Sequence, residues 1–212
     1  MNSNKNKLTS LTQKSLMNLS RKKLGKTFLV KSMLIGKKNV AGRNSSGKIT
    51  VHHKGGGHKR RYRKVTFART NDSIGIVTSL EYDPSRTAFI ASVYDFLNYK
   101  YFYMIAPKHL NIGDIIKSGS NAEVKIGHSL PLLKIPIGGI VHNISMKENE
   151  KARLTRSAGT NAQLIEKTSQ YCRVILSSGT HKFLPSMCQA TIGTVSNEFS
   201  LLKKINKAGR SR

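Results

Sequence analysis

Apolar residues recur at every second position, rather than every third or fourth, along most of this 212-residue chain. Ile49 and Val51 alternate with Lys48, Thr50 and His52, and Val65 and Phe67 resume the alternation after a run of glycines. Residues 74–82 (IGIVTSLEY), 87–94 (TAFIASVY) and 99–105 (YKYFYMI) are rich in β-branched and aromatic types. Turn signals at Asp83-Pro84 and around Asn98 separate them, so each predicts a short strand. Residues 124–136 (VKIGHSLPLLKIP) change the rhythm with two prolines and read as a seam. Beyond it, 138–144, 152–157, 162–166, 171–176, 181–184 and 191–195 are further strand candidates, punctuated by Ala158-Gly159 and Ser178-Gly179. Only 197–205 (NEFSLLKKI) predicts a helix after the N-terminal region, with Asn197 as its N-cap. Short strands at this spacing predict a mainly β fold, two small β-barrels in series rather than one large one. Ile76, Leu80, Ile90, Val174 and Ile192 are the expected core positions.

Charge divides the chain differently. Residues 1–71 hold 19 Lys or Arg and no acid, whereas the remaining 141 residues hold 18 basic and 10 acidic groups. The net charge of +27 is therefore concentrated in the first third. So much unpaired charge repels itself in a compact state unless a polyanion neutralises it. Nucleic acid is the first reading and an anionic membrane surface the competitor. No run approaches the ~18 apolar residues of a membrane span, and 24–36 (LGKTFLVKSMLIG) is short and broken by Lys26 and Lys31. The acid-free N-terminus, with Ser and Lys, faintly resembles a transit peptide, but those are typically Arg-rich; an uncleaved arm is expected. Such a segment has too few apolar residues to fold by itself. The stretch 38–64 is expected to be extended, with few contacts to the body. Cys172 and Cys188 are too few for a disulfide framework or a zinc site and suit a reducing compartment. Lys outnumbers Arg about two to one and Asn is frequent. That usage fits an A/T-rich coding sequence, organellar or bacterial.

The densest chemistry lies in 42–65, GRNSSGKITVHHKGGGHKRRYRKV, with eight Lys or Arg, three His and no acid. GRNSSGK is one residue from the phosphate-binding pattern G-x-x-x-x-G-K-[ST], but Ile49 stands where the magnesium-holding hydroxyl belongs. A nucleotide-hydrolysing enzyme is kept as the rival of a different class. His52, His53 and His58 have no acid or cysteine beside them, and the flanking cations would repel a metal ion. The glycines at 55, 56 and 57 allow the backbone to pass close to another surface. Arg60, Arg61 and Arg63 present planar forks to phosphate, and Tyr62 a stacking face. The scattered acids offer no pair for acid–base catalysis, and Ser157 in RSAGT is not a nucleophile elbow. No enzyme activity is expected.

Seven blocks in order carry a resemblance to a known family. They are GRNSSGKITVHHKGGGHKRRYRKVTFART, IVTSLEYDPSRTAFIASV, APKHLNIGD, LPLLKIPIGGIVHNI, LTRSAGTNAQLI, CQATIGTVSNE and KAGRSR. Together they are similar to the universal ribosomal protein L-two family of the large subunit, nearly colinearly from about Leu29 to Arg212. The resemblance implies a basic RNA-binding arm (1–72), an oligonucleotide-binding-like barrel (73–123), an SH3-like barrel (124–198) and a basic C-terminal extension (199–212). It implies RNA-facing roles for Arg43, Asn44, Lys48, His52, His53, Lys54, Gly55, Gly56, Gly57, His58, Lys59, Arg60, Arg61, Tyr62 and Arg63. Arg86, Lys108, Arg153, Arg156, Ser157, Gly159, Lys207, Gly209, Arg210 and Arg212 join them, with Ala158 beside the close backbone approach.

A structural, non-catalytic constituent of a large ribosomal subunit is therefore expected, near the peptidyl-transferase region and supporting translation. A mitochondrial ribosome is the first expectation, a bacterial or plastid one the alternative. The expected partners are large-subunit rRNA and neighbouring ribosomal proteins, with no membrane, no homo-oligomer and no cofactor beyond structural magnesium ions that accompany the RNA. Family members continue past KAGRSR into a His-Pro-His-Gly-Gly-Gly tail, which a separate polypeptide is expected to supply. A general nucleic-acid-binding module outside the ribosome is the second rival.

Overall fold

The computed structural model describes residues 24–25, 29–37, 40–55 and 57–202. Two short strands, β1 (Leu34–Gly36) and β2 (Arg61–Arg63), pair as a separate antiparallel ribbon. The body comprises β3 (Ser73–Glu81), β4 (Ile90–Asp95), β5 (Lys100–Ile105), β6 (Ile115–Ser118), β7 (Ser129–Pro131), β8 (Ile140–His142), β9 (Ala162–Lys167), β10 (Tyr171–Leu176), β11 (His181–Pro185) and β12 (Gln189–Ile192). Helical structure among the described residues is limited to 3-10 turns at Lys31–Met33, Leu132–Lys134 and Glu198–Leu202. The chain is mainly β, as its alternation predicts.

The ten body strands run in the order β11-β10-β9-β8-β12-β7-β6-β3-β4-β5. All pairs are antiparallel except β6–β7, a single parallel pair Ser118↔Ser129 that joins the two halves. Each half has its own core. Val77, Ala91, Val93, Met104 and Ile116 fill the first; Leu130, Val141, Leu164, Cys172, Val174 and Cys188 fill the second. Both cysteines are free thiols, and burial raises their pKa values.

Ile90 and Val174 are fully buried, as expected. Ile76, Leu80 and Ile192 are only half-buried. In β3 it is Gly75 and Val77 that face the core. A Cβ on Gly75 would stand 2.7 Å from the Tyr94 carbonyl, so glycine permits this close strand approach. A bulge between Val77 and Ser79 shifts the phase, which lets Leu80 reach the cluster holding Val77.

Three other expectations are corrected. Residues 152–157 form no strand: Leu154 makes one isolated bridge to Ile144, and Thr155 turns into the left-handed region at φ 48°. Strands β6 and β7 occupy positions the alternation did not mark. Asn197 does not cap a helix in extended geometry; its φ is 63°, its side chain donates to the Thr87 carbonyl at 2.6 Å, and a 3-10 turn follows.

The arm is fastened to the body at defined points. Val30 and Val65 pack with Ile90, Tyr103, Ile105 and Val195 on the face of β4–β5 opposite the first core. Burying each valine contributes about 1.5–3 kcal/mol. Buried Glu81 accepts hydrogen bonds from Leu29 N (3.0 Å), Ser79 Oγ (2.9 Å) and Tyr103 Oη (3.0 Å). Burial pushes the Tyr103 phenol up to about 12, so it stays a donor. Arg69 reaches further, into the join between the halves. Its guanidinium donates to Ser118 Oγ (3.0 Å), the Gly127 carbonyl (2.9 Å) and the Lys117 carbonyl (3.5 Å). Burial pulls its pKa down to about 10, which still leaves it charged at neutral pH.

Candidate nucleic-acid interface

The segment 42–51 folds on itself. Gly42 has φ 74°, and a Cβ there would collide with the Val51 carbonyl. The Gly42 carbonyl accepts from Thr50 N (2.9 Å) and Val51 N (3.0 Å). Asn44 Oδ1 accepts from Lys48 N (2.9 Å) and Ser46 Oγ (2.8 Å). Asn44 N donates to the Lys48 carbonyl (2.9 Å) and Gly47 N to the Asn44 carbonyl (3.1 Å). A phosphate-cradling loop needs these amides aimed outward at the anion. Here the amides of Arg43, Asn44, Gly47 and Lys48 are spent internally, and no helix follows. The resemblance to a nucleotide-binding loop is confined to the letters. Ile49 and Val51 do not form the strand their alternation predicts; they are exposed, and only the Arg43↔Ile49 bridge forms.

What the loop and its continuation offer is exposed charge. Arg43, Asn44, Lys48, His52, His53, Lys54, Gly55, Gly57, His58, Lys59, Arg60, Arg61 and Tyr62 are all exposed. Gly56 lies outside the described residues, as do Lys207, Gly209, Arg210 and Arg212, together with the expected junction to a separate tail. A Cβ on Gly55 or Gly57 would meet nothing within 4 Å, so the chain's own packing does not demand these glycines. The expected extended arm is therefore partly a compact loop, yet it packs little against the body: Arg60 Nη1 reaches the Pro84 carbonyl at 3.5 Å. In the ribbon, Tyr62 lies opposite Ile35, an aromatic–aliphatic pair on an exposed face. Ile35 is a surface residue that the charge pattern did not indicate.

Arg63 is the correction. It is 2% exposed, hydrogen-bonds the Arg61 carbonyl through Nη1 (2.9 Å) and stands 3.9 Å from the buried Asp83 carboxylate. It fastens the ribbon to the body instead of facing outward. Arg86 Nε shares Asp83 at 2.6 Å. The guanidiniums of Arg86 and Arg156 lie 5.6 and 4.7 Å from the Phe67 ring centroid. Ala158 N donates to Thr87 Oγ1 (3.2 Å), and Lys108 Nζ pairs with Glu198 (2.8 Å). Arg86, Lys108, Arg156, Ser157 and Gly159 thus gather where the two halves meet. A Cβ on Gly159 would come within 3.0 Å of Glu198 Cα, so this glycine serves internal packing. Arg153 is exposed and 3.7 Å from Glu150. Among the described residues no three His, Cys, Asp or Glu side chains are grouped as a metal site.

Residues 30–118 match the family described as Ribosomal Proteins L2, RNA binding N-terminal domain, and residues 125–212 match Ribosomal Proteins L2, C-terminal domain. The chain belongs to the ribosomal protein L2 family. It is a structural, RNA-binding constituent of the large ribosomal subunit, with ribosomal RNA and ribosomal proteins as its partners. The two L2 matches leave out 119–124, between β6 and β7, where the ladder passes from one half to the other. The exposed acid-free segment lies wholly within the RNA-binding N-terminal match.

Proposed function

We propose that this L2 chain holds large-subunit rRNA near the peptidyl-transferase region of a mitochondrial ribosome. The exposed loop and ribbon of 43–62 neutralise phosphates, the cationic junction around Arg86, Lys108 and Arg156 reads the shape of folded RNA, and exposed Arg153 adds a further phosphate contact. In this reading residues 1–72 are the RNA-binding arm, tied down by Arg63, Val65 and Arg69. Residues 73–123 and 124–198 are the two β units, and 199–212 extend toward RNA. The observation that carries the reading is the exposure of Arg43, Lys48, Lys54, Lys59, Arg60 and Arg61 on a stretch with no acid before Asp72. Lysine-rich composition fits the A/T-rich coding sequence that this organellar reading assumes, as it would a bacterial one.

The test is binding at moderate salt to large-subunit rRNA against arbitrary single strands, followed by hydroxyl-radical cleavage from an iron chelate tethered near Lys48. Preference for the rRNA, with cuts flanking the peptidyl-transferase nucleotides, is the expected result. Equal affinity for both RNAs would favour a general nucleic-acid-binding module. Recovery of the chain outside mitochondrial large subunits on fractionation would overturn the organellar part.

A further inference from the structure

The β4–β5 hairpin closes in an unusual way. Asp95 Oδ1 accepts from Leu97 N (3.0 Å) and Oδ2 from Asn98 Nδ2 (2.7 Å), which fixes the turn. The chain then enters β5 through Tyr99 at φ 53°. Glycine is the usual residue at a left-handed position closing a hairpin loop, because it has no Cβ to clash. Tyr99 instead places a large ring there and leaves it 79% exposed, so its own chain gains little from it. Such strain at an exposed side chain points to a role outside the fold.

Other aromatic rings lie in the same hairpin. Tyr94 packs edge-on with Phe96 (centroids 5.6 Å, interplanar 90°) and tilted against Tyr101 (4.9 Å, 52°). Phe96 is 45% and Tyr101 40% exposed. Their sheet face continues across the strands through the pairs Tyr101↔Tyr94, Tyr94↔Ile76 and Ile76↔Ile115. Exposed charge within the hairpin is one-sided. Asp95 is the only acid from Ile90 to Gly113; it is buried and turned into the loop, whereas Lys100 is exposed. Exposed planar rings beside a cation, with no exposed acid in the hairpin itself, match a stacked base and its phosphate.

We propose that the tip of the β4–β5 hairpin is an RNA contact separate from the basic arm, where unpaired bases of the large-subunit rRNA stack on Tyr99, Tyr101 and Phe96 while Lys100 meets an adjoining phosphate. The proposal rests on the RNA-binding reading above. Tyr99→Gly separates the role from folding, because glycine relieves the backbone while removing the ring. The variant is expected to melt at the same temperature as the native chain or higher, yet to bind large-subunit rRNA roughly five- to 150-fold more weakly. Its salt slope should be unchanged, whereas Lys100→Ala should lower the slope magnitude by about 0.7–0.9. Irradiation of the native complex at a wavelength absorbed by bases should attach nucleotides within residues 96–101. Undiminished affinity of Tyr99→Gly, a lowered melting temperature, or attachment of this tip to a ribosomal protein in the assembled subunit would each overturn it. The variant with Lys59→Ala, Arg60→Ala and Arg61→Ala distinguishes the two readings. If that variant binds weakly and Tyr99→Gly binds normally, the stacking site falls and the arm stands. If the native chain shows no preference for rRNA, the underlying reading falls with it.

Discussion

Five arginines of one acid-free arm divide into two groups. Arg43, Arg60 and Arg61 stand exposed, whereas Arg63 and Arg69 are buried at 2% and 6%. The side chains are chemically identical and lie within 27 residues of one another. The difference comes from what the body places opposite them. Arg63 meets the Asp83 carboxylate, and Arg69 meets two carbonyls and a hydroxyl at the join between halves. An interior guanidinium is tolerable only where such acceptors replace its lost water. No described acceptor of comparable quality awaits Arg60 or Arg61, so their charge is left for a partner.

Removing the exposed group gives the largest expected effect. Replacing Lys59, Arg60 and Arg61 with Ala should lower the magnitude of the log–log salt slope for rRNA binding by about 2–3. At ~0.1 M salt that corresponds to roughly 100-fold or more in affinity. Thermal unfolding should barely move, since surface changes stay within about 0.5 kcal/mol each. A salt titration with an unaltered slope would show these side chains to be spectators.

The buried group should respond the other way. Arg69→Leu removes a charged donor and strands the carbonyls it serves, costing on the order of 3 kcal/mol of stability. Its effect on the salt slope should be nil. Denaturant unfolding beside the same titration checks both halves of that expectation; a normal midpoint with a reduced slope would place Arg69 on RNA.

His142, behind Arg69, extends the comparison to pH. Burial, followed by the nearby positive charge of Arg69, pulls its pKa from 6.5 to about 4, although its Nδ1 hydrogen bond to the Gly193 carbonyl (2.8 Å) opposes the shift. Between those values the unfolded chain takes up a proton that the folded chain refuses. Stability is therefore full above about 6.5 and declines as pH falls toward about 4. The loss attributable to this one group is up to ~3 kcal/mol. Unfolding midpoints measured across that range should slope, and His142→Gln should flatten the slope.

The smallest effect belongs to the half-exposed pair Lys108–Glu198, whose side chains retain 39% and 35% exposure. Lys108→Ala should change stability by no more than about 0.5 kcal/mol. If Lys108 also meets RNA, the salt slope should still fall by about 1.

These contrasts show what the sequence could reveal. Alternation marked β3, β4, β5, β9, β10 and β11, each long enough to show both faces, and overlapped the shorter β8 and β12. It missed β6 (IIKS) and β7 (SLP), whose letters show no apolar–polar alternation and whose partners β3 and β12 lie far away in sequence. It falsely marked Ile49 and Val51, because alternation records a preference for extended backbone but not the presence of a neighbouring strand. The cations of 43–62 were legible because no acid stands near them in sequence or, for most, in space. Arg63 was not legible, since Asp83 comes 20 residues later and only folding brings it close. Tyr99 was hidden for a related reason: a strained φ has no signature in the letters.

Lysine acetylation of the chain, free and bound to large-subunit rRNA, compares exposed and internally engaged amines in one experiment. Lys48, Lys54 and Lys59 are exposed in the free chain, whereas Lys134 Nζ donates to the Ser120 carbonyl (2.6 Å) and Lys167 Nζ to those of Leu133 (3.0 Å) and Ile135 (3.2 Å). RNA should protect the first three strongly and leave the reactivity of Lys134 and Lys167 unchanged. Equal reactivity of Lys48, Lys54 and Lys59 with and without rRNA would contradict the assignment of the exposed arm to RNA.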